Sequence, residues 1–221
     1  MRRFLSLLTN GWLFAETGYI AVQTLCTFGG DRMPVALAAA RLRSLRYFTM
    51  QSNLLMALAA LIHVLALQLR LCGVIRRVPA AVRWLKYAAT AAVGLTFAVV
   101  LVWLGPRWGY GGCYDGTSLW THLVNPLLAM ADWCLMDREG RLPFPATFAG
   151  VAPAVLYGAW YIGNIAANGV AGNDFYGFVA AGTEASVGVF GTVLAGAWLI
   201  AVLLWLPRRS AHADKEDASH D

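Results

Sequence analysis

Apolar runs long enough to cross a bilayer recur six times in this chain, at roughly 6–28, 47–69, 84–104, 117–136, 146–167 and 183–206. A helix needs about 20 such residues to span about 30 Å of hydrocarbon. With 59% hydrophobic residues, 13% charged and a mean hydropathy of +0.57, 221 residues hold too little polar surface to cover a water-facing core. Each run is continuous rather than alternating, and hydrocarbon admits only backbones that satisfy their own hydrogen bonds, so the runs predict helices and not barrel strands. The expected fold is all-α: a six-helix transmembrane bundle over residues 1–206. The mixed-charge stretch 207–221, with no apolar anchor, is expected to be a disordered tail. Arg2 and Arg3 precede the first run as they would in a signal peptide. That run, however, exceeds the usual ~7 to 15 residues and lacks a cleavage context, so the first span is expected to stay in the mature chain.

Orientation follows from the basic residues, which are retained on the cytoplasmic side. An internal N-terminus groups Arg2, Arg3, Arg70, Arg76, Arg77, Arg83, Lys86, Arg138, Arg141, Arg208, Arg209 and Lys215 inside, twelve of the seventeen Lys and Arg residues. Arg32, Arg41, Arg43, Arg46 and Arg107 fall outside. Both termini are therefore expected in the cytoplasm, with the protein multi-pass in the cell membrane. Arg41, Arg43 and Arg46, interleaved with Leu42 and Leu45, fit either an interfacial turn touching lipid phosphates or a solvated loop. The net charge of +5 reads as this topology signal and not as a nucleic-acid footprint.

Cys26, Cys72, Cys113 and Cys134 have no metal-ligand spacing, and free thiols are the default, although Cys26 and Cys113 both lie towards the outer face. A haem held by two histidines is disfavoured because the spans offer only His63 and His122, at opposite depths; His212 and His220 lie in the tail. No metal or cofactor is expected.

Polar residues inside the spans must face the bundle or water. Trp12, Glu16, Tyr19 and Gln23 share one face of the first span, predicted to point inward with Glu16 bonding a neighbouring helix. In the fifth span Tyr157, Trp160, Tyr161, Asn164 and Asn168 make an aromatic stripe, expected to pack, with its asparagines at the outer end. Gly188, Thr192 and Gly196 in the sixth form a small-residue seam suited to close helix contact.

Two fragments carry chemistry. In Arg46-Tyr47-Phe48-Thr49-Met50-Gln51-Ser52-Asn53 a threonine hydroxyl lies in the first turns of the second span; in Trp120-Thr121-His122-Leu123-Val124-Asn125-Pro126 an imidazole lies in the first turns of the fourth. Both spans would run from outside to inside, so Thr49 and His122 share a depth. Ser52 and Asn53 follow Thr49 at helical spacing, and Asn125 follows His122. A hydroxyl, a base and amide donors are the groups that acyl transfer uses as nucleophile, proton acceptor and oxyanion partners. Pro126 removes a backbone donor near His122 and favours a local bend.

At these residues the chain resembles the androgen-induced membrane proteins (AIG-like and ADTRP) and their bacterial six-pass relatives. Tyr47-Phe48-Thr49 is similar to the family's phenylalanine and threonine on its second helix. His122 to Pro126, with Asp132-Trp133 beyond, is similar to the histidine, proline and acidic-tryptophan pattern of its fourth. Asn173-Asp174-Phe175-Tyr176-Gly177-Phe178 looks like its Tyr-Pro-Phe loop, with Gly177 where proline is expected. Eukaryotic members hydrolyse esters of fatty acids with hydroxy fatty acids.

The resemblance implies Thr49 as nucleophile, His122 as general base, and a lipid or acyl-ester substrate taken from the membrane. Ser52, Asn53, Asn125, Tyr161, Asn164, Asn168 and Glu184 are the expected substrate-binding set. Asn53, Asn164, Asn168 or backbone groups are candidate oxyanion donors, and Glu184, Asp174 or Asp115 are candidates to orient His122. The alternative is a non-catalytic membrane lipid-binding or scaffold protein with the same polar pocket.

Overall fold

The computed structural model describes residues 1–26, 41–137, 140–179 and 182–209. These residues form an all-helical protein with no strand among them. The long helical segments are α1 (Arg2–Cys26), α2 (Phe48–Leu71), α3 (Ala80–Trp108), α4 (117–136), α5 (Ala146–Asn168) and α6 (Thr183–Arg209). By length and composition α2, α3 and the Ser186–Arg209 part of α6 are apolar enough to cross a membrane. α1 carries Asn10, Glu16, Thr17 and Gln23, and α4 carries His122, Asn125 and Asp132, which dilute their hydropathy.

α3 is the hub. It packs against α2, α4, α5 and α6, and 61% of its apolar stretch is buried, against 17% in α6. Around its middle, Ala89 and Val93 meet Leu13 of α1, Met56, Ala59 and Ala60 of α2 and Ala129 of α4. Small residues let these backbones approach where no water drives them together. At one end, Tyr87 and Trp133 pack with Ala146, Ala201 and Leu204. Gly150 is required there, because a Cβ on it would sit 2.8 Å from the Ala201 methyl. At the other end, Tyr157, Tyr161, Tyr176 and Phe178 make an aromatic cluster that seats the 169–179 segment on the bundle.

Several expectations are corrected. The buried face of α1 is Ser6, Asn10, Leu13, Thr17, Ile20 and Thr24, while Trp12 and Tyr19 are exposed. Short hydroxyl and amide side chains permit close packing that bulky amphipathic rings would prevent. Glu16 lies between these faces and accepts a hydrogen bond from Asn125 Nδ2 at 2.7 Å. The seam of α6 makes no close helix contact: no atom lies within 4 Å of a Cβ placed on Gly188 or Gly196. Both residues line an open groove with Val102 and Trp103, and α6 docks through Ala197, Ala201 and Leu204 instead.

α6 also runs past the expected end of the domain, through Pro207, Arg208 and Arg209, with Arg208 buried. The rest of the expected tail, 210–221, lies outside the described residues, as do Arg32 and Arg138. Arg41–Arg46 forms a 3-10 turn whose Arg46 bonds the Gly172 carbonyl at 2.7 Å and covers the Phe175 ring, so it holds the 169–179 segment. All four cysteines are free.

Candidate functional site

Thr49 Oγ1 lies 3.3 Å from His122 Nε2. Thr49 sits in the first turn of α2 because Tyr47 is extended, at φ −85° and ψ 135°, and helical geometry begins at Phe48. No local side chain caps this helix start. The cap comes from the 169–179 segment: the Tyr176 hydroxyl accepts the Phe48 amide at 2.9 Å and also the Thr49 amide. Burial pushes Tyr176 up to about 12, so it remains a neutral phenol.

His122 is presented by an irregular stretch of α4. Over Trp120–Val124 the helix widens into a π-turn, closed by the Asn125 amide on the Trp120 carbonyl. Pro126 follows this turn, offers no N–H and crowds with its ring the carbonyl four residues back, that of His122 itself, which favours the widening. The same pairing recurs at Val100–Leu104, where a π-turn precedes Gly105-Pro106.

The second ring nitrogen, His122 Nδ1, is 2.8 Å from the Cys113 carbonyl. A carbonyl can only accept, so Nδ1 carries the proton and Nε2 turns a lone pair towards the threonine hydroxyl. Cys113 ends the short helical turn Tyr110–Cys113, where last-turn carbonyls have no helical partner. Glu184 and Asp115 are exposed. Asp174 accepts the Tyr161 hydroxyl and the amides of Phe178 and Val179. None of the three expected carboxylates orients the imidazole.

Ser52, Asn53 and Asn125 lie about one turn from Thr49 or His122 and are engaged elsewhere, whereas Asn164 and Asn168 border neither cavity that Thr49 lines. Ser52 bonds the Thr49 carbonyl and Thr96 Oγ1 at 3.1 and 2.8 Å. Asn53 Nδ2 donates to the carbonyls of Thr49 and Thr121 at 2.9 and 3.1 Å, which ties α2 to α4. Asn125 Nδ2 bonds Glu16 and, at 3.2 Å, Thr17, which ties α4 to α1. Asn164 bonds Asn173 at 3.1 Å, and Asn168 bonds Asn164 at 3.0 Å. These amides join helices and the 169–179 segment, and both N–H donors of Asn53 and of Asn125 are engaged.

Thr49 and His122 open on a cavity of about 440 Å³, bordered also by Thr24, Tyr47, Trp108, Thr117, Ser118 and Tyr176. Sequence reasoning missed Thr117, Ser118 and Tyr176 as wall residues. Their signal was present: Thr117 and Ser118 precede His122 by about one turn.

A second polar centre occupies the opposite end. Lys86 Nζ lies 2.5 Å from Asp132 and 2.9 Å from Asp137, and Asn10 donates to Asp132 at 2.8 Å. Arg208 approaches Asp137 at 3.5 Å and covers the Trp133 ring. His63 stands 3.7 Å from Asp137. All are buried. Just past the end of α4, burial pushes the Asp137 carboxyl up, but Lys86 and Arg208 outweigh it and hold the group well below the usual carboxylate range. Among the described residues no group of three or more His, Cys, Asp or Glu is placed to hold a metal.

No family model, curated protein or solved structure matches the chain.

Proposed function

We propose that this chain is a membrane-embedded hydrolase of fatty-acyl esters, with Thr49 as nucleophile and His122 as general base. The observation that carries this reading is the chain of contacts Thr49 Oγ1, His122 Nε2, His122 Nδ1, Cys113 carbonyl, at 3.3 and 2.8 Å. A base oriented by a third group and within reach of a hydroxyl is the arrangement that activates an alcohol. The resemblance of Tyr47-Phe48-Thr49 and His122 to Pro126 to the androgen-induced membrane proteins points the same way.

In the scheme His122 Nε2 removes the Thr49 proton as Oγ1 attacks the ester carbonyl. The tetrahedral intermediate collapses with loss of the alcohol, which takes the proton back from Nε2. Water then attacks the acyl-threonine, His122 accepts a water proton, and the fatty acid leaves as Oγ1 is reprotonated.

The six helical segments are read as six spans with both termini cytoplasmic, in a multi-pass cell-membrane protein. Three of the segments are long and apolar enough to cross a membrane. The site then lies in the outer half, where an acyl ester reaches it from the surrounding lipid.

The test is labelling of the purified full-length protein by a fluorophosphonate. Wild type should label at Thr49, and folded Thr49→Ala and His122→Ala should not. A folded wild type that takes no label moves the assignment to a lipid-binding or scaffold protein.

A further inference from the structure

Thr49 borders two cavities, only one of which is also lined by His122. Besides the 440 Å³ space it shares with His122, it borders one of about 270 Å³ reached between α3, α5 and α6, and Leu104 and Tyr176 also belong to both walls. These three residues are the wall common to both cavities.

The smaller cavity is an apolar slot. It descends along α3 from Leu104 to Leu95, about 13 Å at 1.5 Å per residue, past Val99, Ala154 and Val193. The other hydroxyls on its wall are turned away. Thr96 is bonded to Ser52, Tyr157 donates to the Arg46 carbonyl, and Tyr161 donates to Asp174. Its lining residues on α3, Leu95 to Leu104, and on α5, Ala154 to Ile162, run about two to three turns along each helix, room for an extended acyl chain.

The larger cavity lies at the end of the bundle, beside Trp108 and Gly112, and its wall still has hydrogen bonds to make. The wall is apolar at Ile20, Met50, Leu104 and Phe175, and no described residue hydrogen-bonds the hydroxyls of Tyr47, Thr117 and Ser118 that interrupt it. Filling this space with a second alkyl chain would leave those groups unpaired, the penalty by which a hydrogen-bonding site rejects an apolar analogue. None of the described residues lining it is cationic, so the wall suits a neutral polyol and not a phosphate.

We infer that the substrate is a single-chain acyl ester of a neutral polyol, of the monoacylglycerol class, with its chain in the slot beside Val99 and its alcohol facing Thr117 and Ser118. This inference rests on the hydrolase reading and departs from the two-chain esters that the resemblance implies.

The experiment compares kcat/KM of the full-length protein in lipid nanodiscs for monododecanoylglycerol and for the dodecanoyl ester of a long-chain hydroxy acid. Fluorophosphonate labelling of Thr49 is followed in parallel. Wild type should favour the glycerol ester by about 10-fold or more, the loss expected when buried hydroxyls go unpaired. Ser118→Ala and Thr117→Val should each shrink that ratio several-fold. A labelled Thr49 with equal or greater turnover of the two-chain ester, or a ratio unmoved in both variants, overturns the inference while leaving the hydrolase. A folded protein with an unlabelled Thr49 and no turnover of either ester removes the hydrolase reading and this inference with it.

Discussion

The Cys113 carbonyl fixes which nitrogen of His122 is basic. At 2.8 Å it accepts the Nδ1 proton and leaves the Nε2 lone pair facing Thr49. The group responsible is main chain, so its effect should survive changes in the Cys113 side chain. Cys113→Ala is expected to keep fluorophosphonate labelling within about threefold, whereas His122→Asn should lose it by about 100-fold or more, the usual contribution of a general base. Asparagine can still donate towards the Cys113 carbonyl but offers no base at the Nε2 position. Labelling rates of the two purified variants decide the point.

Pro126 should matter more to activity than to folding. Replacing it with alanine restores an N–H able to bond the His122 carbonyl, which would close the π-turn over Trp120–Val124 and rotate the imidazole. A displacement of about 1 Å at a reacting group costs on the order of 100-fold. Pro126→Ala is therefore expected to label at least 10-fold more slowly, with thermal unfolding in detergent unchanged or slightly raised. Equal labelling by wild type and variant would mean that the π-turn does not position His122.

Much of this was legible in the sequence, and the exceptions share a cause. Hydropathy identifies the helical runs, and Thr49 and His122, each expected in the first turns of its own helix, lie 3.3 Å apart. What the residues do not reveal is the partner. Every residue has a carbonyl, so nothing in the sequence singles out that of Cys113. Ser52, Asn53 and Asn125 belong to the two fragments, but a polar side chain on a helix face serves a neighbouring backbone as readily as a substrate, and the bonds these three make are to the bundle. The charged cluster was hidden because Lys86 and Arg208 read as topology signals. Lys86 and Asp132, opposite charges inside two predicted spans, were the available clue that they meet.

Tyr176 caps α2 from a distant segment, so its hydroxyl links the 169–179 loop to the Thr49 turn. Tyr176→Phe keeps the ring among Tyr161 and Phe178 and removes only the acceptor. A lost helix cap costs about 1 kcal/mol. Thermal unfolding should fall by that amount, and labelling of Thr49 should slow as the first turn of α2 loosens. A variant with wild-type labelling would show that the cap does not hold the nucleophile.

Lys86 bridges Asp132 and Asp137 in a cluster that joins α1, α3, α4 and α6, so removing its charge strands two buried carboxylates. Breaking a buried ion pair at one partner costs about 3–5 kcal/mol. Lys86→Met is expected to lower unfolding stability in detergent by that order, with Asp132→Asn restoring part of it in the double variant. The cluster also sets a pH limit. The folded pKa of Asp137 lies below its unfolded value of about 4, so its stabilisation is fully present above that value. It is lost as pH falls from there towards the folded pKa. Unfolding temperature measured from pH 7 downward should hold until about pH 4 and then drop, and the drop should be smaller in Lys86→Met, where Asp137 has lost the Lys86 ammonium. A profile equally steep in both proteins would place the acid sensitivity elsewhere.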